Sequence, residues 1–275
     1  MSEKIITFIG GGNMARSLIG GLIADGYSPQ HIRVSDPNEE QRTSLSGRFG
    51  VQAHADNETA AREADAVILA VKPQVIKSVA EPLGPLLRQQ GTLTISIAAG
   101  VRESDLSRWL GGSVPVVRTM PNTPALVQTG ATALYANAHV SGVQRDLAES
   151  LLRAVGITQW LDDEALMDAV TAVSGSGPAY FFQLMEMIED AGTELGLPRK
   201  TARLLTLETA LGAARMALES EEDPAGLRRR VTSPNGTTHA AITVLEEGGA
   251  RELYKRALNA AAARAGELGK MLGEQ

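Results

Sequence analysis

Three consecutive glycines follow the first apolar segment of the chain, and their spacing suits the binding of a phosphate group. Gly10, Gly12 and Ala15 match the pattern G-x-G-x-x-G/A, whose small residues permit a tight turn and close backbone approach to a ligand. Amides that open a helix bind anions, because the positive end of the helix dipole lies behind them. The pattern indicates a site for a dinucleotide pyrophosphate, and the alternative is a glycine turn with a purely steric role.

An acidic residue stands at the distance from the glycines that a ribose-binding carboxylate requires. Asp36 directly follows the segment 32–35, which we predict to be the second strand. A carboxylate at this place binds ribose hydroxyls and repels a 2′-phosphate, so Asp36 favours NADH. Other polar residues close in the sequence could bind such a phosphate, and these are Arg33, Ser35, Asn38 and Arg42.

A second polar loop precedes a predicted helix in the C-terminal part of the chain. Pro234-Asn235-Gly236 is typical of a tight turn, and Thr237 or Thr238 is a good N-cap for the helix that follows. A turn that brings free amides and hydroxyls to a helix start suits a carboxylate ligand. Spacing alone favours this interpretation no more than the simpler one, in which a threonine only caps the helix.

The elements that position the glycine turn alternate between strand and helix. We predict strands over 5–9, 32–35, 50–53, 66–71, 92–97, 114–120, 131–135 and 158–160, and helices over 13–24, 39–49, 58–63, 76–88, 102–110 and 145–155. Alternation of this kind predicts a parallel sheet, with ligands bound at the carboxyl ends of its strands. The sequence therefore predicts a doubly wound α/β dinucleotide-binding domain over residues 1–163.

The chain changes character at about Glu164, beyond which alanine, leucine and methionine dominate. We predict helices over 165–173, 178–195, 199–219, 237–247 and 250–272. The segments 180–188 and 204–218 are apolar on more than one face and must be buried, which is difficult for about 110 residues alone. We therefore predict an all-α domain over 164–275 that forms a homodimer with interleaved helices, with further assembly left open.

Composition excludes several classes of protein and site. The 275 residues carry a net charge of −6, which argues against nucleic-acid partners and anionic membrane surfaces. The chain has no cysteine, which removes disulfides and thiolate chemistry, and its histidines and acids lack metal-ligand spacing. The sequence has no leader before the first strand and no apolar run long enough to span a membrane. We expect a cytoplasmic protein that binds no metal.

Five motifs, in order and over the whole chain, resemble those of the pyrroline-5-carboxylate reductase family. They are FIGGGNMA at 8–15, AVKP at 70–73, MPNTP at 120–124, SGSGPAY at 174–180 and TSPNGTT at 232–238. The resemblance implies a Rossmann-like domain followed by a helical dimerisation domain. It also implies reduction of 1-pyrroline-5-carboxylate to L-proline, the last step of proline biosynthesis. The family commonly uses NADPH, so we expect NADPH slightly ahead of NADH, with both active.

The resemblance assigns candidate site residues. The cofactor-binding residues that it implies, together with the two at the end of the second strand, are Gly10, Gly11, Gly12, Asn13, Met14, Ser35, Asp36, Asn57, Ala70, Val71, Lys72 and Pro73. The substrate-binding residues that it implies are Glu221, Ser233, Asn235, Gly236, Thr237 and Thr238. Thr238, which matches the threonine that contacts the ring nitrogen, and Lys72, beside the nicotinamide, are the candidate catalytic residues. Lys72 has a simpler interpretation as a solvated residue at a strand end.

One residue departs from the family pattern, and two other functions stay open. Family members usually have glycine where this chain has Asn235, which tolerates a left-handed backbone but puts substrate affinity in doubt. A β-hydroxy acid dehydrogenase has a similar layout, but it needs a lysine on a C-terminal helix, and other residues occupy the candidate positions here, where Lys200 and Lys255 are the only mid-domain lysines. A non-catalytic nucleotide sensor would keep the glycine turn without needing the second anion loop.

Overall fold

The computed structural model describes residues 4–274, which divide into two compact units. The sheet unit contains residues 4–176 together with 261–274, and the helical unit contains residues 177–260. The helical unit is therefore an insertion in the sequence of the sheet unit. The units are defined by packing, and the domain boundary after residue 163 stays a prediction.

The sheet unit has eight strands within the described residues, and helices lie in most of the connections between them. Strands β1 to β8 are Ile6–Ile9, Ile32–Ser35, Gln52–His54, Ala66–Leu69, Leu93–Ser96, Val116–Met120, Gly130–Ala136 and Gly156–Trp160. Helices α1 to α7 are Asn13–Ala24, Glu39–Phe49, Asn57–Ala61, Ile76–Gln90, Glu103–Trp109, Gly142–Arg153 and Met167–Val170. The alternation predicted from the sequence is confirmed over this part of the chain.

The strand order places the glycine turn at the centre of the sheet. The order is β3-β2-β1-β4-β5-β6-β7-β8, and the neighbouring strands are parallel except for β6 and β7. Ile9 of β1 stands level with Ser35 of β2 and Leu69 of β4, so the carboxyl ends of these strands meet. Ligands of doubly wound sheets bind where the strand order reverses, which here is between β1 and β4. The predicted fold class is confirmed.

Two hydrophobic clusters bury the two faces of the sheet. On β4, Ile68 belongs to one cluster while Val67 and Leu69 belong to the other, and all have no exposed surface. Burial of one such side chain contributes about 1.5–3 kcal/mol. Leu272, near the end of helix α12 (Ala250–Gly273), joins the second cluster. The last turns of α12 thus complete the core of the sheet unit.

The helical unit leaves large apolar side chains exposed. Its helices α8 to α11 are Gly177–Glu194, Arg199–Glu219, Pro224–Arg230 and Thr237–Glu247, and α12 begins in this unit. On α8 and α9, the side chains of Phe181, Phe182, Leu204 and Leu211 are each more than 60% exposed. A helix that is apolar beyond one stripe needs a partner surface.

The structure differs from the prediction in two segments. No helix is predicted between residues 219 and 237, but helix α10 begins at Pro224, with the Asp223 carboxylate accepting from Gly226 N at 2.7 Å. Proline is favoured at the first helical position, so the same residues are a start signal. The single helix predicted over 165–173 is a 3-10 turn, the short α7 and a π-helix over Thr171–Gly175. The Thr171 and Ser174 hydroxyls donate to carbonyls one turn back, which bends helices.

Candidate cofactor and substrate sites

A cavity of about 700 Å³ lies at the reversal point of the sheet. The carboxyl ends of β1, β2 and β4 and the start of α3 line it, and a volume of this size is typical of a small-molecule site. Most of the predicted cofactor residues meet here, namely Gly10, Gly11, Gly12, Ser35, Asp36, Asn57, Ala70, Val71 and Lys72.

The glycine turn is shaped by close backbone approach. Gly10 has φ +102°, and a Cβ added to it would lie 2.6 Å from the carbonyl oxygen of Ala70. A Cβ added to Gly11 would lie 2.6 Å from a methyl group of Leu45. At Gly12, by contrast, an added Cβ would meet no protein atom within 4 Å. Gly10 is required by its backbone conformation and by the adjacent backbone, whereas a Cβ at Gly11 would displace the Leu45 side chain and Gly12 leaves space for a ligand.

The Asp36 carboxylate is held by two backbone amides. Its Oδ2 accepts from Gly11 N at 2.8 Å, and its Oδ1 accepts from Asn38 N at 2.9 Å. Asp36 therefore links the glycine turn to the turn that leads into α2. A carboxylate has about four acceptor positions, so these bonds still leave positions for ribose hydroxyls.

The other polar residues at this edge have partners within the chain. Ser35 Oγ donates to Asn57 Oδ1 at 2.7 Å. Arg42 Nη1 donates to the carbonyl oxygens of Asp36 and Pro37 at 2.8 and 2.9 Å. Arg33 Nη1 donates to Arg62 O at 2.6 Å, beyond α3. Of the two arginines considered for phosphate binding, Arg42 is the one bound to the turn beside the cavity.

The remaining predicted cofactor residues lie around the start of α1 and beyond β4. Asn13 and Met14 form the first turn of α1, whose leading amides have no acceptor within the helix. The Met14 side chain packs on the first hydrophobic cluster, while Asn13 lines a separate cavity of about 460 Å³. Lys72 precedes a 3-10 turn that Pro73 opens.

The second predicted loop lies in the helical unit, between α10 and α11. Asn235 has φ +61°, so asparagine adopts the left-handed conformation expected of it. Gly236 N donates to Ser233 O at 3.0 Å and closes the turn. Thr232 Oγ1 donates to Arg228 O at 2.6 Å, which ties the loop to α10. The predicted residues from Ser233 to Thr238 thus form one short, locally braced segment.

The prediction that a threonine caps α11 is wrong. Gly236 is the N-cap, and Thr237 and Thr238 form the first turn, with Thr238 half-buried. Glycine offers no side-chain acceptor, so the leading amides of α11 are left for another acceptor. Glu221 is exposed in the connection between α9 and α10, and no hydrogen bond joins it to the loop among the described residues.

Sequence reasoning missed two residues beside these loops. Arg16 of α1 donates from Nε to Gly11 O at 3.3 Å. The sequence feature that could have indicated this role is a positively charged residue one turn beyond the glycines. Arg228, before the second loop, forms an ion pair at 2.6 Å with Glu246 of α11, which follows the loop. That pair depends on α10, which the sequence analysis did not predict.

A doubly wound sheet with a glycine turn, an acidic second-strand end and a cavity between them defines the class of dinucleotide-binding proteins that includes oxidoreductases. Two family models match the chain. The model described as NADP oxidoreductase coenzyme F420-dependent matches residues 5–100. The model described as pyrroline-5-carboxylate reductase dimerisation matches residues 164–268. The chain therefore carries a segment for self-association.

Known relatives extend this similarity to the full length. A pyrroline-5-carboxylate reductase of Pseudomonas aeruginosa is 57% identical over all of both chains. The solved structure of a pyrroline-5-carboxylate reductase from Coxiella burnetii is 49% identical, covers 97% of this chain and 99% of its own, and has a TM-score of 0.94. The Plasmodium falciparum pyrroline carboxylate reductase, solved with NADP bound, is 29% identical with a TM-score of 0.86 and covers 98% and 99%.

The chain belongs to the pyrroline-5-carboxylate reductase family. It is an oxidoreductase that reduces 1-pyrroline-5-carboxylate to L-proline with NAD(P)H, in the last step of proline biosynthesis. Within residues 4–274, the helices are too short or too polar to cross a membrane.

Proposed function

We propose that the cavity between β1 and β4 holds the cofactor in an extended form across the sheet edge. The pyrophosphate binds the leading amides of α1, at Gly12, Asn13 and Met14, and Asn57 lies beside the adenosine ribose. The nicotinamide lies towards Ala70, Lys72 and Pro73. The observation that carries this proposal is that the glycine turn, the Asp36 carboxylate and the Ala70–Lys72 segment line one cavity.

Both nicotinamide cofactors are used in this proposal, with NADPH ahead. Asp36 disfavours a 2′-phosphate, but two backbone amides already share its charge. Arg42 is fixed beside the same turn and retains donors that the two carbonyls do not use. Ser35 and Asn38 complete the polar edge. These opposing contributions support activity with NADPH and NADH alike.

The substrate carboxylate binds the second loop in this proposal. The donors are the hydroxyls of Ser233 and Thr237 and the amides of Asn235 and Thr237, because the N-cap Gly236 has no side chain that could accept from the leading amides of α11. The amide of Gly236 itself donates to Ser233 O and holds the turn in shape. Glu221 lies near the bound substrate. The left-handed Asn235 preserves the turn that glycine usually forms in the family.

The reaction requires the protein to align the substrate with the cofactor more than to supply a strong acid. The bound cofactor supplies a hydride to the imine carbon. Thr238 orients the ring nitrogen through its hydroxyl, and the nitrogen receives a proton as the carbon–nitrogen double bond becomes a single bond. Lys72 lies beside the nicotinamide and helps to align the cofactor ring with the imine carbon.

The assembly in this proposal is a homodimer whose C-terminal helices interleave, with further assembly open. The exposed apolar faces of α8 and α9 support it, together with the match to a dimerisation model. We place the enzyme in the cytoplasm, where reduced nicotinamide cofactor is regenerated.

Loss of nicotinamide absorbance on addition of 1-pyrroline-5-carboxylate tests the residue assignments. Thr238→Ala is expected to lower kcat/KM by about 10- to 100-fold, because a hydrogen bond to a charged group is lost. Thr243→Ala is the matched control, since Thr243 lies further along α11 and donates to His239 O. Wild-type kinetics in Thr238→Ala would reject the role of Thr238.

A further inference from the structure

We infer that Arg16 is a positioning residue that orients the cofactor-binding turn, and this inference rests on the proposed cofactor site. Arg16 is half-buried in the first turns of α1. Its Nε donates to Gly11 O at 3.3 Å, and its Nη2 donates to the side-chain oxygen of Gln41 on α2. One side chain therefore connects the glycine turn to the neighbouring helix.

The contact with Gly11 O sets the direction of an amide that faces the ligand. Gly11 C=O and Gly12 N–H belong to the same planar trans peptide, so they point in opposite directions. A donor that holds Gly11 O therefore also fixes where Gly12 N–H points. Within residues 4–274 that N–H has no acceptor in the chain, as expected of an amide that awaits a phosphate oxygen.

The preceding peptide is fixed in the same manner by a different residue. Gly11 N–H donates to Asp36 Oδ2 at 2.8 Å, which sets the plane between Gly10 and Gly11. Arg16 and Asp36 thus hold two successive peptides of the turn. Glycine loses more conformational freedom on ordering than any other residue, so a turn of three glycines gains most from such bracing. Bracing before binding raises affinity because less order is imposed when the ligand arrives.

The partner of Arg16 on α2 makes this role testable. In the described part of the chain, no carboxylate forms an ion pair with Arg16, and its anchor is the neutral Gln41. Removing Gln41 would loosen Arg16 without removing its charge. Arg48 lines the same cavity as Arg16 but contacts the ring of Phe49 and not the glycine turn. Arg48 therefore controls for the loss of a nearby positive charge.

Direct binding of NADPH and of NADH, measured by nucleotide fluorescence, tests the inference. Arg16→Met is expected to raise both dissociation constants by about five- to tenfold, since one charged hydrogen bond is lost. Gln41→Leu is expected to raise both by about twofold through the loosened side chain. Arg48→Met should match the wild type. In turnover assays Arg16→Met should raise the KM for the cofactor while kcat and the KM for 1-pyrroline-5-carboxylate stay at wild-type values.

Other results of these binding measurements would contradict either the inference about Arg16 or the proposed cofactor site. Wild-type affinity in Arg16→Met, with binding abolished in Gly12→Val, would overturn the inference and leave the cofactor site standing. An equal loss in Arg48→Met would show a general effect of charge and also overturn it. A changed ratio of NADPH to NADH affinity would mean that Arg16 contacts the 2′-phosphate directly. Absence of nucleotide binding by the wild-type protein would instead reject the proposed cofactor site.

Discussion

The two units differ in where their apolar side chains lie. In the sheet unit, strands buried on both faces and the helices beside them form two large clusters. In residues 177–260, the buried hydrophobic side chain is Ala202, while Phe182 and Leu218 are 65% and 82% exposed. Large exposed apolar patches mark interaction surfaces. The comparison shows that one unit completes its core within the chain and that the other exposes an apolar surface, which the proposed dimer would cover.

The largest effect is expected from a charge on the exposed apolar face. Leu211→Glu on α9 replaces a side chain that is 62% exposed in the chain and buried in the proposed dimer. Burial of an unpaired carboxylate costs several kcal/mol, so we expect a monomer in light scattering and loss of nearly all activity. Val143→Glu is the control, because Val143 is 75% exposed on α6 of the sheet unit. A dimeric Leu211→Glu protein would remove the distinction between the units.

A smaller effect, on stability, is expected at Glu164. This residue belongs to the sheet unit, although the family model for dimerisation begins at it. Glu164 accepts from the nearly buried Arg118 at 2.6 Å and from Glu103 N at 2.7 Å. Glu164→Ala leaves that guanidinium without its partner, and we expect about 3 kcal/mol of destabilisation in chemical unfolding.

The exposed pair Arg215 and Glu219 provides the comparison for Glu164 in the helical unit. The two side chains are 76% and 65% exposed, so Glu219→Ala should cost less than about 1 kcal/mol. Equal losses for Glu164→Ala and Glu219→Ala would mean that residues 164–176 are not anchored in the sheet unit as the packing indicates.

The smallest effect concerns pH. Burial lowers the pKa of His54, at the end of β3, and Arg33 lowers it further against the opposing charge of Asp56. At pH values below the ordinary pKa of 6.5, His54 binds a proton more readily in the unfolded chain than in the folded chain. Stability therefore falls as pH falls from that value towards the folded pKa. His54→Gln should flatten this slope in melting curves between pH 7 and pH 5.

A second histidine provides the control for the prediction about His54. His139→Gln, in an exposed loop, removes a histidine without this burial and should leave the pH slope in place. An unchanged slope in His54→Gln would assign the acid sensitivity to other groups.

The sequence predicted the elements whose signals are local. The glycine turn, the strand that begins at Ala66 and the helix over Thr237–Glu247 follow from residue types within a short window. The structure has all three, with the strand ending at Leu69 instead of residue 71. The left-handed Asn235 is similarly local, because its own side chain and its neighbour Gly236 determine the turn.

What the sequence did not predict depends on contacts between distant segments. Arg16 donates to Gln41, which follows it by 25 positions, and this hydrogen bond exists only once α1 and α2 are packed. The π-helix over Thr171–Gly175 and the Arg118–Glu164 pair also depend on packing around them. Helix α10 differs, because Asp223-Pro224 is a local start signal although no helix is predicted there. The roles of the predicted site residues stay predictions.

The path of α12 has a consequence for how the protein is made. Leu272 fills the second cluster, and Arg108 Nη2 donates to Gly273 O at 2.7 Å, although the rest of the sheet unit lies before residue 177. A ribosome therefore synthesises all residues of the helical unit before the turns that complete the sheet unit. During translation, the unit that forms its core within the chain is the last to receive all of its residues.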